Sequence, residues 1–189
     1  MKVFFSFLLV VSFLNAFSQD VKKTIETQFY AYGQTLINKD YHGMADYIAE
    51  DVFTFLKKDD YIRLMEKTFA SPDFDIAVKD PKVIAIGDVK KIAEKYYSVV
   101  DYSNALNINL KESVGMPRDT VVVKKSLIQG FGEGNVKFDP KTKIYTVQVR
   151  SKLCAISSDG KAGWKFIGLE RNLKPLLEKF LPAEILKEI

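Results

Sequence analysis

The first third of the chain after residue 19 repeats apolar residues every three or four positions, which is the spacing of one helix face. This spacing predicts a helix over residues 20–38, with Asp20 as its N-terminal cap. A second helix is expected after Asp40, which is its predicted N-terminal cap, and a third begins at Asp59 and ends at residues 71–72. Between them, residues 52–56 (VFTFL) are rich in β-forming types and predict a short strand. The predicted buried face of the first helix comprises Val21, Ile25, Phe29, Tyr32 and Leu36.

Beyond Pro81 the pattern changes to β-forming residues. Residues 83–86 predict a strand, and Gly87 with Asp88 predicts the turn after it. Residues 92 to about 110 form one β-rich run that exceeds the usual strand length, so we expect a bend or bulge within it. Residues 117–131 contain three consecutive valines, which favour a strand, but their apolar residues recur every four positions. We therefore predict a helix there.

Residues 144–156 predict a strand, and the alternation from Tyr145 to Leu153 gives it one buried face and one solvent-facing face. A hairpin turn at Asp159 and Gly160 leads into a partner strand over residues 164–169. A last helical face follows, and Pro182 starts a short tail helix. Together these elements predict an α+β fold in which N-terminal helices pack on a curved antiparallel sheet, with an inserted helix and a C-terminal helical tail.

The N-terminus has the pattern of a secretory signal peptide. Lys2 is followed by an apolar run over residues 3–14 and by the small-x-small sequence Ala16-Phe17-Ser18. The run is shorter than the roughly 20 residues that span a bilayer. We expect residues 1–18 to be a cleaved signal peptide and residues 19–189 to form one domain, exported to the periplasm or the extracellular space without stable membrane insertion. A retained N-terminal anchor is the alternative.

Composition narrows the protein classes further. Hydrophobic residues make up 47% of the chain, which is typical of a globular protein and excludes extensive disorder. The single cysteine excludes a disulfide within the chain. Removal of residues 1–18 lowers the formal net charge from +4 to +3, and the lysine pairs are scattered. Nucleic acid is therefore not an expected partner, because its recognition needs clustered positive charge.

Two segments resemble a known family. Residues 36–56 (LINKDYHGMADYIAEDVFTFL) resemble the opening of the nuclear transport factor 2-like superfamily, which includes SnoaL-like enzymes and ketosteroid isomerase. Residues 143–170 (KIYTVQVRSKLCAISSDGKAGWKFIGLE) resemble its last hairpin. The resemblance implies a cystatin-like cone with a pocket at its open end. It implies no single activity, because members include isomerases, dehydratases, binding modules and scaffolds.

The chain exceeds a minimal cone in two places. One is the insertion over residues 117–139, whose glycines are not followed at the required spacing by the Lys-Ser or Lys-Thr pair of a phosphate-binding loop. The other is the tail after Arg171, which we expect either to close the cone or to dock on another subunit.

Few residues offer catalytic chemistry. His42 is the only histidine, and its position at the start of a helix favours a solvent-facing residue over a general base. Cys154 lies in an apolar strand, where a small buried hydrophobe is expected rather than a nucleophile. One His and one Cys do not provide the three or four ligands of a zinc site. No metal or other cofactor is expected.

Asp101 is the strongest acidic candidate, because it lies inside the β-rich run. A carboxylate in an apolar cavity has a raised pKa and can transfer protons. An outward-facing or lysine-paired residue is the competing interpretation, and Glu170, near the last strand, has the same two interpretations.

Aromatic side chains that combine apolar area with a polar tip are the better candidates for a ligand pocket. With Asp101, the predicted ligand-binding set comprises Tyr32, Tyr97, Tyr102, Tyr145 and Trp164.

These observations leave two hypotheses of different class. The first is a non-catalytic domain that binds a small apolar or amphipathic ligand or a protein partner. The second is a SnoaL-like isomerase or dehydratase, with Asp101 as base and Tyr97 or Tyr102 as hydrogen-bond donor. A homodimer formed through the open sheet face is left open, although the polar residues of strand 144–156 argue against a large apolar interface there.

The predicted export is testable on the secreted protein. Cleavage after Ser18 would make Gln19 the first residue found by N-terminal sequencing, because the small residues Ala16 and Ser18 occupy the positions that signal peptidase recognises. Recovery of a chain with Met1 intact in the membrane fraction would contradict this prediction.

Overall fold

A six-stranded antiparallel sheet forms the centre of the computed structural model, which describes residues 3–70, 72–111 and 120–189. The two long strands β3 (Lys95–Leu110) and β5 (Ile144–Ser157) pair from Tyr96 to Asn109 without a register shift. Strands β1 (Phe74–Ile86) and β2 (Lys90–Ile92) flank β3, and β4 (Val136–Asp139) and β6 (Lys165–Gly168) flank β5. The predicted α+β class, with helices on a curved antiparallel sheet, is confirmed.

Six α-helices surround this sheet in the described part of the chain. The longest, α1, packs Ile25 and Phe29 against the sheet, and both side chains are at most 2% exposed. The helix bounds are α1 (Val3–Ile37), α2 (Tyr41–Ala45), α3 (Lys58–Phe69), α4 (Thr120–Phe131), α5 (Lys174–Leu177) and α6 (Ala183–Leu186). Among the described residues, no helix has both the length and the apolar content needed to cross a membrane.

The predicted helix caps have different outcomes. Asp40 caps α2 as predicted, since its carboxylate accepts a hydrogen bond from the Gly43 amide at 2.9 Å. Asp20 does not cap a helix, because α1 begins at Val3 and continues through residue 20. The Asp20 carbonyl instead accepts a hydrogen bond from the Thr24 hydroxyl within the helix.

The sheet has two faces, which alternate along each strand. The inner face contains Val100 and Tyr102 of β3 and Leu153 of β5. It is covered by α1 at one end and by α4 at the other. The outer face contains Asp101 of β3 and Cys154 of β5, and the C-terminal tail covers its Cys154 end.

The tail packs on its own sheet. Leu177, Leu181 and Ile185 are buried against the outer-face cluster that contains Cys154. Two exposed ion pairs lie beside this contact, Lys90 with Glu184 at 2.6 Å and Lys152 with Glu188 at 2.9 Å. Because exposed ion pairs contribute little, the buried leucines and isoleucine supply most of the adhesion.

The strand predicted for residues 52–56 is wrong. The segment forms a short 3-10 helix, Glu50–Thr54. The amides of Phe55 and Leu56 both bond to the Val52 carbonyl at 3.1 Å, so the backbone is satisfied locally and needs no neighbouring strand. Only Val52 of this run is buried, and a five-residue apolar run fits a helical turn as well as a strand.

Strand β1 is longer than predicted, and β3, with which it pairs, contains no bulge. β1 starts at Phe74 rather than at residue 83, and it passes through Pro81. Proline is tolerated because β1 lies at an edge of the sheet, where one side of the backbone needs no partner. The bend or bulge predicted within residues 92–110 is found as a tight turn at residues 93–94, which divides the β-rich run into β2 and β3. β3 itself has no bulge, since both register shifts in its pairing with β1 place the extra residues on β1.

The inserted segment forms a helix and a short strand. The helix over residues 117–131 is confirmed from Thr120 to Phe131, and residues 117–119 lie outside the described residues. The glycine-rich part of the insertion contains a strand that the sequence analysis missed, β4. Val136 is buried there, and the Phe138 ring lies 4.5 Å from the Tyr145 ring. Pairing with the long β5 stabilises a strand too short to be recognised from its own pattern.

We expect Phe29→Ala to lower the free energy of unfolding by roughly 3–5 kcal/mol, the range for emptying a buried phenylalanine site. Phe29 is 2% exposed between α1 and the inner face. The matched control is Tyr30→Ala on the solvent side of the same helix, where the residue is 40% exposed and the cost should be below about 1 kcal/mol. Equal losses for the two variants in urea denaturation would contradict this packing.

Candidate functional site

A cavity of about 340 Å³ lies on the inner face of the sheet, between α1 and α3. It lies between the end of the inner face that packs against α1 and the end that packs against α4. Among the described residues, those that line the cavity are Phe29, Tyr32, Gly33, Leu36, Met65, Phe69, Val78, Pro81, Tyr102, Asn104, Leu106, Phe131, Val149 and Glu170.

The helical wall of the cavity is held close to β1. Phe29, Gly33 and Leu36 recur at helical spacing on one side of α1, so they face the sheet together. A Cβ atom on Gly33 would lie 3.1 Å from Cγ of Pro81, which is tighter than ordinary contact. The glycine thus lets α1 approach the edge strand, and this approach limits the width of the cavity.

The sheet wall of the cavity contains one polar side chain, Asn104, whose oxygen has no hydrogen-bond partner among the described residues. Asn104 is on the same face as Tyr102 and Leu106, and it pairs in register with Val149 of β5. Within the described part of the chain, the buried Asn104 Oδ1 has no hydrogen-bond partner. A buried acceptor without a donor costs about 1–3 kcal/mol, so this amide favours a ligand that offers an N–H or O–H group.

Two tyrosines and one carboxylate lie near each other in this cavity. Burial raises the pKa of the Tyr32 hydroxyl, and the neighbouring Tyr61, Tyr102 and Glu170 raise it further. Burial also raises the pKa of Tyr102, although a hydrogen bond with Ser151 opposes this effect. Both hydroxyls therefore stay neutral well above physiological pH and remain available as hydrogen-bond donors. Glu170 itself is exposed at the rim.

The structure divides the predicted ligand-binding residues into three groups. Tyr32 and Tyr102 line the cavity. Tyr97 and Asp101 line a separate cleft of about 360 Å³ on the outer face. Tyr145, which is 0% exposed, packs in the core near α4, and Trp164, which is 1% exposed, packs in the core beneath α1.

Asp101 is half-buried in the outer cleft rather than in the apolar cavity. It pairs in register with Lys152, and Lys90 and Glu184 line the same cleft, so its surroundings are charged. Tyr102 is its neighbour in a strand, so the two side chains point to opposite faces. Among the described residues, neither Tyr97 nor Tyr102 is hydrogen-bonded to Asp101. The arrangement of base and donor envisaged for proton transfer is therefore not formed around Asp101.

The other reactive side chains lie away from the cavity. Cys154 is buried, and its burial raises the thiol pKa to about 12, which keeps it protonated and unreactive. His42 is exposed on α2. Over the described ranges, no three residues of the types His, Cys, Asp and Glu lie close enough together to hold a metal ion.

The sequence analysis missed Asn104 and the ring of Phe131. A signal for Asn104 was available, because its even spacing from Val100 and Tyr102 places a polar residue on the buried face of β3. Phe131 had no comparable signal. It reaches the cavity only because α4 and α1 cover opposite ends of the same sheet face.

No family model matches this chain, and no curated protein does either.

Burial of the Tyr61 hydroxyl should lower the free energy of unfolding at high pH. Burial raises the pKa of Tyr61 to about 12, whereas an unfolded chain has a tyrosine pKa of 10.0. Between these values the unfolded state binds fewer protons than the folded state, so the free energy of unfolding falls as pH rises. Tyr61→Phe removes this group. Between pH 10 and 11.5 the free energy of unfolding of the variant should therefore fall by about 1–2 kcal/mol less than that of the wild type. Parallel pH profiles of the two proteins in urea denaturation would contradict the burial of this hydroxyl.

Proposed function

We propose that this protein is an exported, non-catalytic domain that binds a small apolar or amphipathic ligand in the inner-face cavity. The observation that carries the proposal is the cavity itself. Its volume of about 340 Å³ and its mostly apolar lining, with a few convergent polar groups, are typical of small-molecule sites. The polar groups are the hydroxyls of Tyr32 and Tyr102, the amide of Asn104 and the carboxylate of Glu170.

The resemblance to the nuclear transport factor 2-like superfamily supports the same proposal. The resemblance implies a cone-shaped α+β fold with a pocket at its open end. The cavity of this chain lies between α1 and the inner face of the sheet. Membership of the superfamily is part of the proposal.

A second candidate function is proton transfer, as in an isomerase or dehydratase. The observation that favours it is the position of Glu170 beside Tyr32 and Tyr102, since a carboxylate next to neutral phenols can serve as base and hydrogen-bond donors. Asp101 does not serve this candidate, because it lies on the outer face.

Filling the cavity should abolish ligand retention. Val149 is half-buried on the cavity wall, and Val149→Phe would occupy space that the ligand needs. We expect native mass spectrometry of the protein purified from its own host to show a retained small molecule in the wild type and none in the variant. The single tryptophan, Trp164, packs in the same cluster as the cavity residue Phe29, so its fluorescence reports ligand entry.

The matched control is Gln148→Phe, one residue earlier on the exposed outer face of β5. It adds the same aromatic ring to the same strand, but on the outer face, and should leave ligand retention unchanged. Circular dichroism of both variants shows whether the fold is kept, since overpacking costs about 1–3 kcal/mol. Equal retention in both folded variants would overturn the proposal. A turnover screen in which Glu170→Gln removes an activity would favour the second candidate.

A further inference from the structure

The described lining of the cavity carries a single charged residue, and its charge is negative. Glu170 lies at the rim, and among the described residues no lysine or arginine forms an ion pair with it. Its negative charge contributes to the raised pKa of both cavity tyrosines, Tyr32 and Tyr102. An anionic ligand would therefore be repelled from this cavity, whereas a cation would be attracted.

Aromatic rings add to this preference. The faces of aromatic rings carry partial negative charge and attract cations within about 6 Å. Rings are contributed by three helices and one strand, and one pair, Phe29 with Tyr102, has ring centroids 5.5 Å apart. The five rings that line the cavity are those of Phe29, Tyr32, Phe69, Tyr102 and Phe131.

The amide of Asn104 selects for donors over acceptors. Its Oδ1 is a buried acceptor without a partner, and the Asn104 side chain belongs to the cavity lining. A protonated amine provides both an N–H donor and a positive charge. A carboxylate provides neither.

We infer that the cavity binds an amphipathic organic ammonium ion, with its apolar part among the aromatic rings and its positive charge attracted by Glu170. The inference rests on the proposed binding function and names the chemical class of its ligand. The size of the cavity suits an arylalkylamine, which consists of one aromatic ring and a short amine chain.

Three probes with the same phenylbutyl skeleton separate charge from shape. They are 4-phenylbutylamine, which is protonated at pH 7, the neutral 4-phenylbutanol and the anionic 4-phenylbutyrate. Isothermal titration with the wild type at low salt should give the ammonium an affinity about fivefold higher than that of the alcohol, the upper range for an exposed ion pair. The carboxylate should bind more weakly than the alcohol.

Glu170→Gln should lower the ratio of the ammonium affinity to the alcohol affinity, because only the aromatic rings then favour the cation. The matched control Glu178→Gln removes a carboxylate from the exposed tail and should keep the wild-type preference. Tighter binding of the carboxylate, equal binding of all three probes, or an undiminished preference for the ammonium in Glu170→Gln would overturn the inference while leaving the binding function intact. Failure of all three probes to bind the folded wild type, together with unchanged host-ligand retention in Val149→Phe, would overturn both.

Discussion

The continuous pairing of β3 with β5 is the interaction on which the rest of the structure depends. Because the register runs from Tyr96 to Asn109 without a shift, every residue of both strands keeps its face over the full length of the sheet. This assigns Tyr102, Asn104 and Val149 to the inner face, and Asp101 and Lys152 to the outer face. A slip of one residue would exchange the apolar cavity wall with the charged cleft.

The two ends of this long pair are covered differently. From Leu153 onward β5 is buried on both faces, because α1 packs on the inner face and the C-terminal tail on the outer one. Toward Ile144 the inner face is covered by α4, and Gln148 and Arg150 on the outer face are exposed. The cavity lies between these two covered ends of the inner face, with α1 and α3 on one side of it and β3 and β5 on the other.

The cavity retains features that a fully packed core would eliminate. It leaves Asn104 Oδ1 without a partner and places the Phe131 ring, which is 38% exposed, at its border. Each feature costs stability in the free protein, since unpaired buried acceptors and exposed apolar area are both unfavourable. A bound ligand that donates a hydrogen bond and covers the ring would remove both costs.

The sequence alone determined the helical face of α1, the Asp40 cap, the alternating strand β5 and the α+β class, because these depend on local spacing and local hydrogen bonds. It identified Tyr32 and Tyr102 as ligand-binding candidates but grouped them with Tyr97, Asp101, Tyr145 and Trp164, which lie elsewhere. Glu170 was indicated only as an acidic candidate of the same kind as Asp101. Only the tertiary structure decided which residues meet. Strand register, the start of β1 at Phe74 and the position of the cavity are set by contacts between residues far apart in the chain, and the spacing of neighbouring residues carries no information about such contacts.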